Sequence, residues 1–378
     1  MITGWHRPTR IIVDPQKITE NILSQRKIIA PDKEIFAVVK ANGYGHGDLA
    51  VAKAALKAGV TGFCVALLDE ALHLRENGIT EPILILNMVD PQFLSLASEN
   101  NLSVTCGNQE WLDQVLAQIN HLSIQKPLKL HLKIDSGMGR IGFFDEKSLQ
   151  KAAQIISDHP QLELEGIFTH FATADEADEE YYQHQLSTFK KLLDTLPQLP
   201  RYVHSSNSAA ALWHEAGVGN MIRMGISMYG LNPSGSALVL PVNLQPALEL
   251  VSELIQVKLV PADTGISYGK TYTTDCPQWI GTVPIGYADG YLRSLQGFHV
   301  LVEGELCEIV GRINMDQLMI HLPKKFPLGT KVTLIGENRG KIVSAQDVAD
   351  FAKTIHYEIC CLLSDRLPRI YLGERDQK

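Results

Sequence analysis

No stretch of this 378-residue chain is apolar for long enough to cross a bilayer, and Met1 to Arg10 hold no apolar core of a secretory leader. Positive charge is not in excess. The 34 lysines and arginines face 42 aspartates and glutamates, a net charge of −8. That balance gives no basis for nucleic acid or an anionic membrane as a partner. The six cysteines (Cys64, Cys106, Cys276, Cys307, Cys360 and Cys361) are scattered, with no CxxC pair, so no metal is expected. The simplest expectation is reduced thiols in a cytoplasm, with the adjacent Cys360 and Cys361 serving core packing. Internal repeats and low-complexity tracts are also missing. What remains is an ordinary globular composition, 45% hydrophobic and 20% charged, in a chain long enough for two domains.

The first two thirds alternates short apolar runs with helical periodicity. Eight runs read as strands: Ile35–Lys40, Gly62–Ala66, Ile83–Leu86, Leu102–Cys106, Leu128–Asp135, Glu165–His170, Arg201–Ser205 and Met221–Ile226. Asp48, Asp69 and Asn108 are candidate helix caps between them. Strands alternating with helices in this number predict an α/β fold of the (β/α)8 TIM-barrel type. The last third is punctuated by proline and glycine, and its apolar runs are short or alternating. It predicts a second, mostly antiparallel β domain interrupted by one helix, Ser344–Thr354. The Gly-, Ser- and Pro-rich stretch Asn232–Val242 is the expected boundary, giving domains over 1–237 and 238–378.

A barrel carries its chemistry at the C-terminal ends of its strands. The first strand ends in Lys40, followed by Ala41-Asn42-Gly43-Tyr44-Gly45-His46-Gly47. A lone lysine at a strand exit is most simply a side chain snorkelling to solvent. Desolvated, it becomes a nucleophilic amine. The fifth strand leads into Lys133, Asp135 and Arg140, the sixth into His170, the seventh into Ser205-Ser206-Asn207-Ser208, and the eighth holds Arg223. Arg223 alone could serve a barrel carboxylate, and His170 alone could be a core histidine. Five of the eight strand ends carrying such groups is harder to assign to packing. Asn207 and Ser208 precede a helical segment, and Gly225-Ile226 lies just past the eighth strand, where barrels often bind phosphate. A reactive lysine beside a phosphate site suggests pyridoxal 5′-phosphate held as a Schiff base. A Schiff-base aldolase shares those two features and leaves Arg223 and the second domain without a role.

Nine stretches in order carry a closer likeness: AVVKANGYGHG (37–47), KIDSGMGRIGF (133–143), THFATADE (169–176), SNSAA (206–210), IRMGISMYGL (222–231), ISYGKTY (266–272), PIGYADGY (284–291), VGRINMDQ (310–317) and RLPRI (366–370). Together they resemble the alanine racemase family over nearly the whole chain. The resemblance implies a cytoplasmic, pyridoxal-phosphate-dependent isomerase that interconverts L- and D-alanine and supplies D-alanine for peptidoglycan. It implies two bases, Lys40 and, from the other subunit of a homodimer with shared active sites, Tyr268. It places His170 against Tyr268 and Arg223 on the pyridine nitrogen. Arg140 would meet the cofactor and the substrate carboxylate, and Lys133 matches a position that is often carbamylated. Tyr44, Ser208, Gly225 and Ile226 would hold the phosphate. Met315 and Asp316 would come from the partner, and Asp175, Tyr287, Arg293 and Arg312 would line the entrance. Asp365 stands where some relatives carry a tyrosine, and is expected to turn toward Arg366 or Arg369. Asn314 replaces a cysteine found in others.

Three other readings compete. A serine or broader amino-acid racemase would use the same scaffold. A decarboxylase of basic amino acids would share fold and cofactor, but would place a carboxylate where Arg223 stands. A pyridoxal-phosphate carrier would need the barrel alone, leaving Tyr268 and Met315 unexplained.

Overall fold

The computed structural model describes residues 2–120, 124, 126–214 and 218–373. It divides the chain into two compact units. One comprises Ile18–Gly43 and Asp48–Gln245; the other comprises Met1–Lys17, Tyr44–Gly47 and Pro246–Lys378.

The first unit is a nearly closed barrel of eight parallel strands. In chain order they are Glu34–Val38, Gly62–Val65, Ile83–Ile85, Ser103–Cys106, Leu128–Lys133, Leu162–Phe168, Tyr202–His204 and Met221–Met224. All eight overlap the runs expected from apolar periodicity, the sixth starting at Leu162 rather than Glu165. The first seven strands pair in chain order, and the last pairs with the first, Phe36 lying opposite Arg223. The seam between the seventh and eighth strands has no ladder. It is closed by the Asn220 N–H on the Val203 carbonyl (2.9 Å) and the Arg223 N–H on the Ser206 carbonyl (3.0 Å). Gly219 makes that seam possible: its φ is +116°, and a Cβ there would run into the Val203 carbonyl.

Rings from strands that are not neighbours meet inside the barrel. Phe36 and Tyr202 lie edge to face at 5.4 Å, and the His131 ring stacks on Tyr202 at 5.8 Å. Each large ring faces a glycine on the adjoining strand, Phe36 opposite Gly62 and His131 opposite Gly166. A methyl group at either glycine would collide with the ring. The interior is a packed core with no room for two side chains at those levels.

Helix capping follows the sequence in part. Asn108 accepts the Trp111 N–H at 2.8 Å, as expected of a cap. Asp69 does not cap. The helix Leu68–Glu76 starts one residue before it, and Glu70 takes the backbone N–H groups of Ala66 (2.7 Å) and Leu67 (3.1 Å).

The second unit is mostly antiparallel. Its largest sheet runs in the order Glu305–Glu308, His299–Val302, Lys331–Asn338, Leu248–Glu253, Arg10–Val13 and Arg369–Tyr371, with Lys341–Val343 added to Lys331–Asn338. A three-stranded sheet joins Gln256–Val260, Gln278–Val283 and Leu318–Leu322. Three features depart from expectation. Arg10–Val13 pairs antiparallel with Leu248–Glu253 and parallel with Arg369–Tyr371, so the first residues group with this unit. A second helix, His356–Leu362, follows Ala345–Ala352. Cys360 is buried, as expected of packing, but Cys361 is exposed. No helix among the described residues is long and apolar enough to cross a membrane.

Candidate active site

Lys40 opens an unusual turn. Ala41, Asn42, Gly43 and Tyr44 have φ of 52°, 52°, 58° and 51°, a full left-handed turn in which only one residue is glycine. Left-handed backbone costs an L-residue with a Cβ on the order of 1–2 kcal/mol. Such strain persists only where the surroundings fix it, and it concentrates at functional sites. Here the Gly43 N–H bonds the Val39 carbonyl at 2.8 Å, and the Asp48 N–H bonds the Asn42 side chain at 3.1 Å. Glu70 adds a third tie, accepting the Ala41 N–H at 2.7 Å. The sequence marked the glycines of this segment and gave no sign that Ala41 and Asn42 would be left-handed.

The loop after the fifth strand is organised by one carboxylate. Asp135 accepts the N–H groups of Gly137 (3.0 Å), Gly139 (3.0 Å) and Arg140 (2.9 Å), and these bonds lower its pKa against the cost of burial. Arg140 is thereby held at the exposed rim. Lys133 is buried, its ammonium 2.8 Å from the Ile134 carbonyl and 5.4 Å over the Phe168 ring. Burial, with Arg223 and Arg140 nearby, lowers its pKa to about 7.

Arg223 is enclosed by the barrel. One terminal nitrogen donates to His204 Nδ1 (2.7 Å) and the His204 carbonyl (3.2 Å). The other donates to the carbonyls of Thr169 (2.8 Å) and Ser205 (3.2 Å) and lies 3.5 Å from His170 Nδ1. Nε has no acceptor among the described residues. Burial lowers its pKa to about 10, so the guanidinium is still a cation at neutral pH. His170 is half-buried and is pushed well below the usual histidine range by burial and by Arg223, Arg140, Lys133 and Lys40. All four charges bearing on it are positive. This mouth is built for anions.

The ends of the seventh and eighth strands supply further donors. The Asn207 side chain caps Ser208–Trp213 by accepting the Ala210 N–H at 2.9 Å. Ser208 Oγ accepts the Gly225 N–H at 2.8 Å. The N–H groups of Ser208, Ala209 and Ile226 stand at first-turn positions without an acceptor among the described residues, although all three residues are buried. Buried N–H groups of this kind need an acceptor. Pyridoxal 5′-phosphate fits this donor set: a phosphate for the orphan N–H groups, a ring nitrogen that can accept from a guanidinium, and an aldehyde for a lysine. Asp175 lies in the loop after the sixth strand, its carboxyl raised by burial.

The second unit gathers a separate cluster. Tyr268 is 70% exposed on the turn Tyr268–Lys270. Ser267 ties that turn to the next loop, donating to the Arg312 carbonyl (2.6 Å) and to Asn314 Oδ1 (2.9 Å). Tyr287 and Ala288 donate their N–H groups to the carbonyls of Asn314 and Met315, both at 3.1 Å. Asp316 pairs with Arg366 at 2.7 Å, and Arg366 and Arg7 both pair with the buried Asp289. Tyr268, Tyr287, Arg312, Asn314, Met315 and Asp316 thus share one patch, in which Asn314 is a structural hub that the sequence did not reveal. Arg293 is exposed on its own short turn. Tyr44 packs on Tyr357 at 6.2 Å. Asp365 faces Arg369 at 3.5 Å, one of the two arginines expected for it.

Family models described as alanine racemase, N-terminal domain, and alanine racemase, C-terminal domain, match residues 13–233 and 247–371. An alanine racemase of Pediococcus pentosaceus is 53% identical over 98% of each chain. The crystal structure of an alanine racemase from E. faecalis superposes with a TM-score of 0.95 at 54% identity, covering 98% of this chain and 100% of that one. A histidine racemase from Leuconostoc mesenteroides subsp. sake superposes with a TM-score of 0.92 at 32% identity, again over 98% and 100%.

The depressed histidines set a pH dependence of stability. His170 and His204 refuse protons in the folded state, whereas the unfolded chain binds them below about pH 6.5. Stability is therefore full above pH 7 and falls on acidification, by about 1.4 kcal/mol per pH unit for each histidine. Urea midpoints of the apoprotein should drop between pH 7 and pH 5; a flat profile would show that these rings protonate in place.

Proposed function

The chain belongs to the alanine racemase family and is a pyridoxal-phosphate-dependent isomerase of amino acids; within that family we propose that it interconverts L- and D-alanine with two bases, Lys40 and the Tyr268 of a second copy. The observation that carries this reading is the pairing of Lys40, on a strained turn at a cation-lined barrel mouth, with a Tyr268 left exposed on its own unit.

Ser208, Ala209, Gly225 and Ile226, with Tyr44, would hold the phosphate, Arg223 the ring nitrogen, and Lys40 the aldehyde carbon. Bound there, the cofactor supplies a carbonyl that captures an amine and a conjugated ring that delocalises the electron pair left when the α-proton departs. The protein supplies the rest. Arg140 draws the substrate carboxylate to the rim, with Met315 and Asp316 of the partner completing that end. Inverting a stereocentre needs a proton taken from one face and another delivered to the opposite face. The Lys40 amine serves one face and the Tyr268 hydroxyl the other. Arg223, with a pKa of about 10, would donate a hydrogen bond to the ring nitrogen and keep its own proton. His170, held neutral among cations, is suited to accept or donate a hydrogen bond at the Tyr268 oxygen without adding charge.

Exposed Tyr268 and Met315 support a homodimer in which each copy completes the other's site. Arg293, Arg312, Tyr287 and Asp175 would line the entrance. Buried reduced thiols support a cytoplasmic protein, and D-alanine for peptidoglycan is the natural use of the product. The histidine racemase among the structural relatives keeps a broader substrate range as the second reading.

Lys40→Ala should lower racemisation of L-alanine, followed by circular dichroism, by about 10³-fold or more. Mixing Lys40→Ala with Tyr268→Phe should restore about a quarter of wild-type activity, because half the dimers are mixed and each carries one intact site. No recovery after subunit exchange contradicts the shared site. Faster turnover of L-serine or L-histidine than of L-alanine would favour the broader reading.

We also propose that Lys133 reacts with carbon dioxide. At a pKa of about 7 half its amine is unprotonated near neutrality. The nitrogen adds to carbon dioxide and releases a proton, replacing a cation between Arg140 and Arg223 by a carbamate anion. Enzyme equilibrated with ¹³C-bicarbonate should show one carbamate carbon resonance that is missing from Lys133→Arg. A spectrum without it rules the carbamate out.

A further inference from the structure

Below Arg223 the barrel interior contains a chain of polar groups. His204 Nδ1 meets Arg223 at 2.7 Å, and His204 Nε2 meets His131 Nδ1 at 2.9 Å. His131 Nε2 meets Glu165 Oε2 at 3.0 Å. Glu165 also receives the Ser103 hydroxyl and lies 3.2 Å from the Lys129 ammonium, which is partly exposed. These groups come from the fourth to eighth strands, and all but Lys129 are buried.

Both ends of the chain have fixed polarity. A guanidinium can only donate, so His204 Nδ1 must accept. A neutral His204 then carries its hydrogen on Nε2 and donates to His131 Nδ1. His131 must therefore carry its hydrogen on Nε2, where it meets a carboxylate, which can only accept. Burial alone would raise the Glu165 carboxyl, but the bond and charge of His131 together with Ser103 and Lys129 hold it ionised, at about 2. Each ring has one hydrogen and each bond one donor. A further proton on either ring would put two hydrogens between the rings or one against the guanidinium.

We propose that His204, His131 and Glu165 form a one-way hydrogen-bond relay that fixes the orientation of the Arg223 guanidinium, which makes His131 and Glu165 positioning residues for the reaction. The relay rests on the assignment of Arg223 to the cofactor's ring nitrogen. Its effect is geometric and electrostatic. With both terminal nitrogens of Arg223 consumed by His204 and by backbone carbonyls, the plane of the guanidinium is set and Nε is the donor left over. The carboxylate at the far end, itself paired with Lys129, holds the hydrogen of His131 on Nε2 and so sets the direction of the whole chain. Packing supports the same arrangement. The His204 ring stacks on Phe168 at 4.7 Å, Arg223 lies 5.4 Å over that same ring, and Gly166 leaves the room that His131 occupies.

The direct test is the tautomeric state of the two rings. In holoenzyme labelled with ¹⁵N-histidine, His204 and His131 should both be neutral with the hydrogen on Nε2 at neutral pH. His204→Gln and His131→Gln identify their signals. An Nδ1–H tautomer or an imidazolium at either position would overturn the relay. This readout does not depend on turnover, so a protein without alanine racemase activity that still showed both tautomers would sink the proposed function and leave the relay standing. The kinetic test is His131→Phe, which keeps a ring in the core but removes both nitrogens. The relay requires kcat to fall by about tenfold with KM within about twofold. It also requires a shift of the pyridine-nitrogen resonance in enzyme carrying ¹⁵N-labelled cofactor. Wild-type kcat with an unmoved resonance would reduce His131 to packing and end the proposal.

Discussion

A guanidinium enclosed by a barrel is the constraint on which the rest of this structure depends. Leaving it uncompensated would cost several kcal/mol, so the chain must surround it with acceptors. It does so with the carbonyls of Thr169, His204 and Ser205, one at the end of the seventh strand and two in the segments just beyond the sixth and seventh. The parallel fold turns strand ends toward one mouth, where carbonyls are no longer committed to a ladder. Burial, with the same cation beside them, keeps His170 neutral and depresses Lys133, and the mouth is left strongly positive. An anionic cofactor and an amino-acid carboxylate then become favourable occupants rather than incidental ones. An arginine at this position also separates the chemistry from that of a site built around a carboxylate, because it cannot hand a proton to a ring nitrogen.

Much of this was legible in the sequence because parallel barrel strands are buried on both faces. Runs such as Ile83–Leu86 and Leu128–Asp135 are apolar almost throughout, and that signal survives without knowledge of the fold. Once the barrel is assumed, its strand ends can be read directly, which brings Lys40, Lys133, Arg140, His170, Ser208 and Arg223 to one mouth. The residues that escaped are of two kinds. Arg10–Val13 is a short strand whose partners lie far along the chain, at Leu248–Glu253 and Arg369–Tyr371, and no local pattern announces such pairing. Glu70, Asn314, His131 and Glu165 act through other residues. Their types are common, and only three-dimensional placement shows a carboxylate on the Lys40 turn or two imidazoles in line. The left-handed turn at Ala41 and Asn42 was hidden for a related reason: asparagine visits that region singly, but alanine does not favour it, so the surroundings impose the run.

Under the proposed reading the two units divide the work by chemistry. The barrel provides charge, donors for a phosphate and an amine on a strained turn. The second unit provides an exposed tyrosine whose turn is fixed through Ser267 to the Arg312–Asn314 loop, and a Met315–Asp316 corner pinned by the Asp289–Arg366 ion pairs. In the proposed two-base reading neither set would suffice for inversion at a carbon, because one fixed base would return a proton to the face it came from.

The most direct measurement of that claim is the fate of hydrogen at the α-carbon when protiated L-alanine turns over in deuterium oxide, sampled early in the reaction. Two bases on opposite faces predict D-alanine carrying deuterium while the remaining L-alanine keeps its protium. Protium carried over into D-alanine, or deuterium appearing equally in both enantiomers from the first turnovers, would contradict the account.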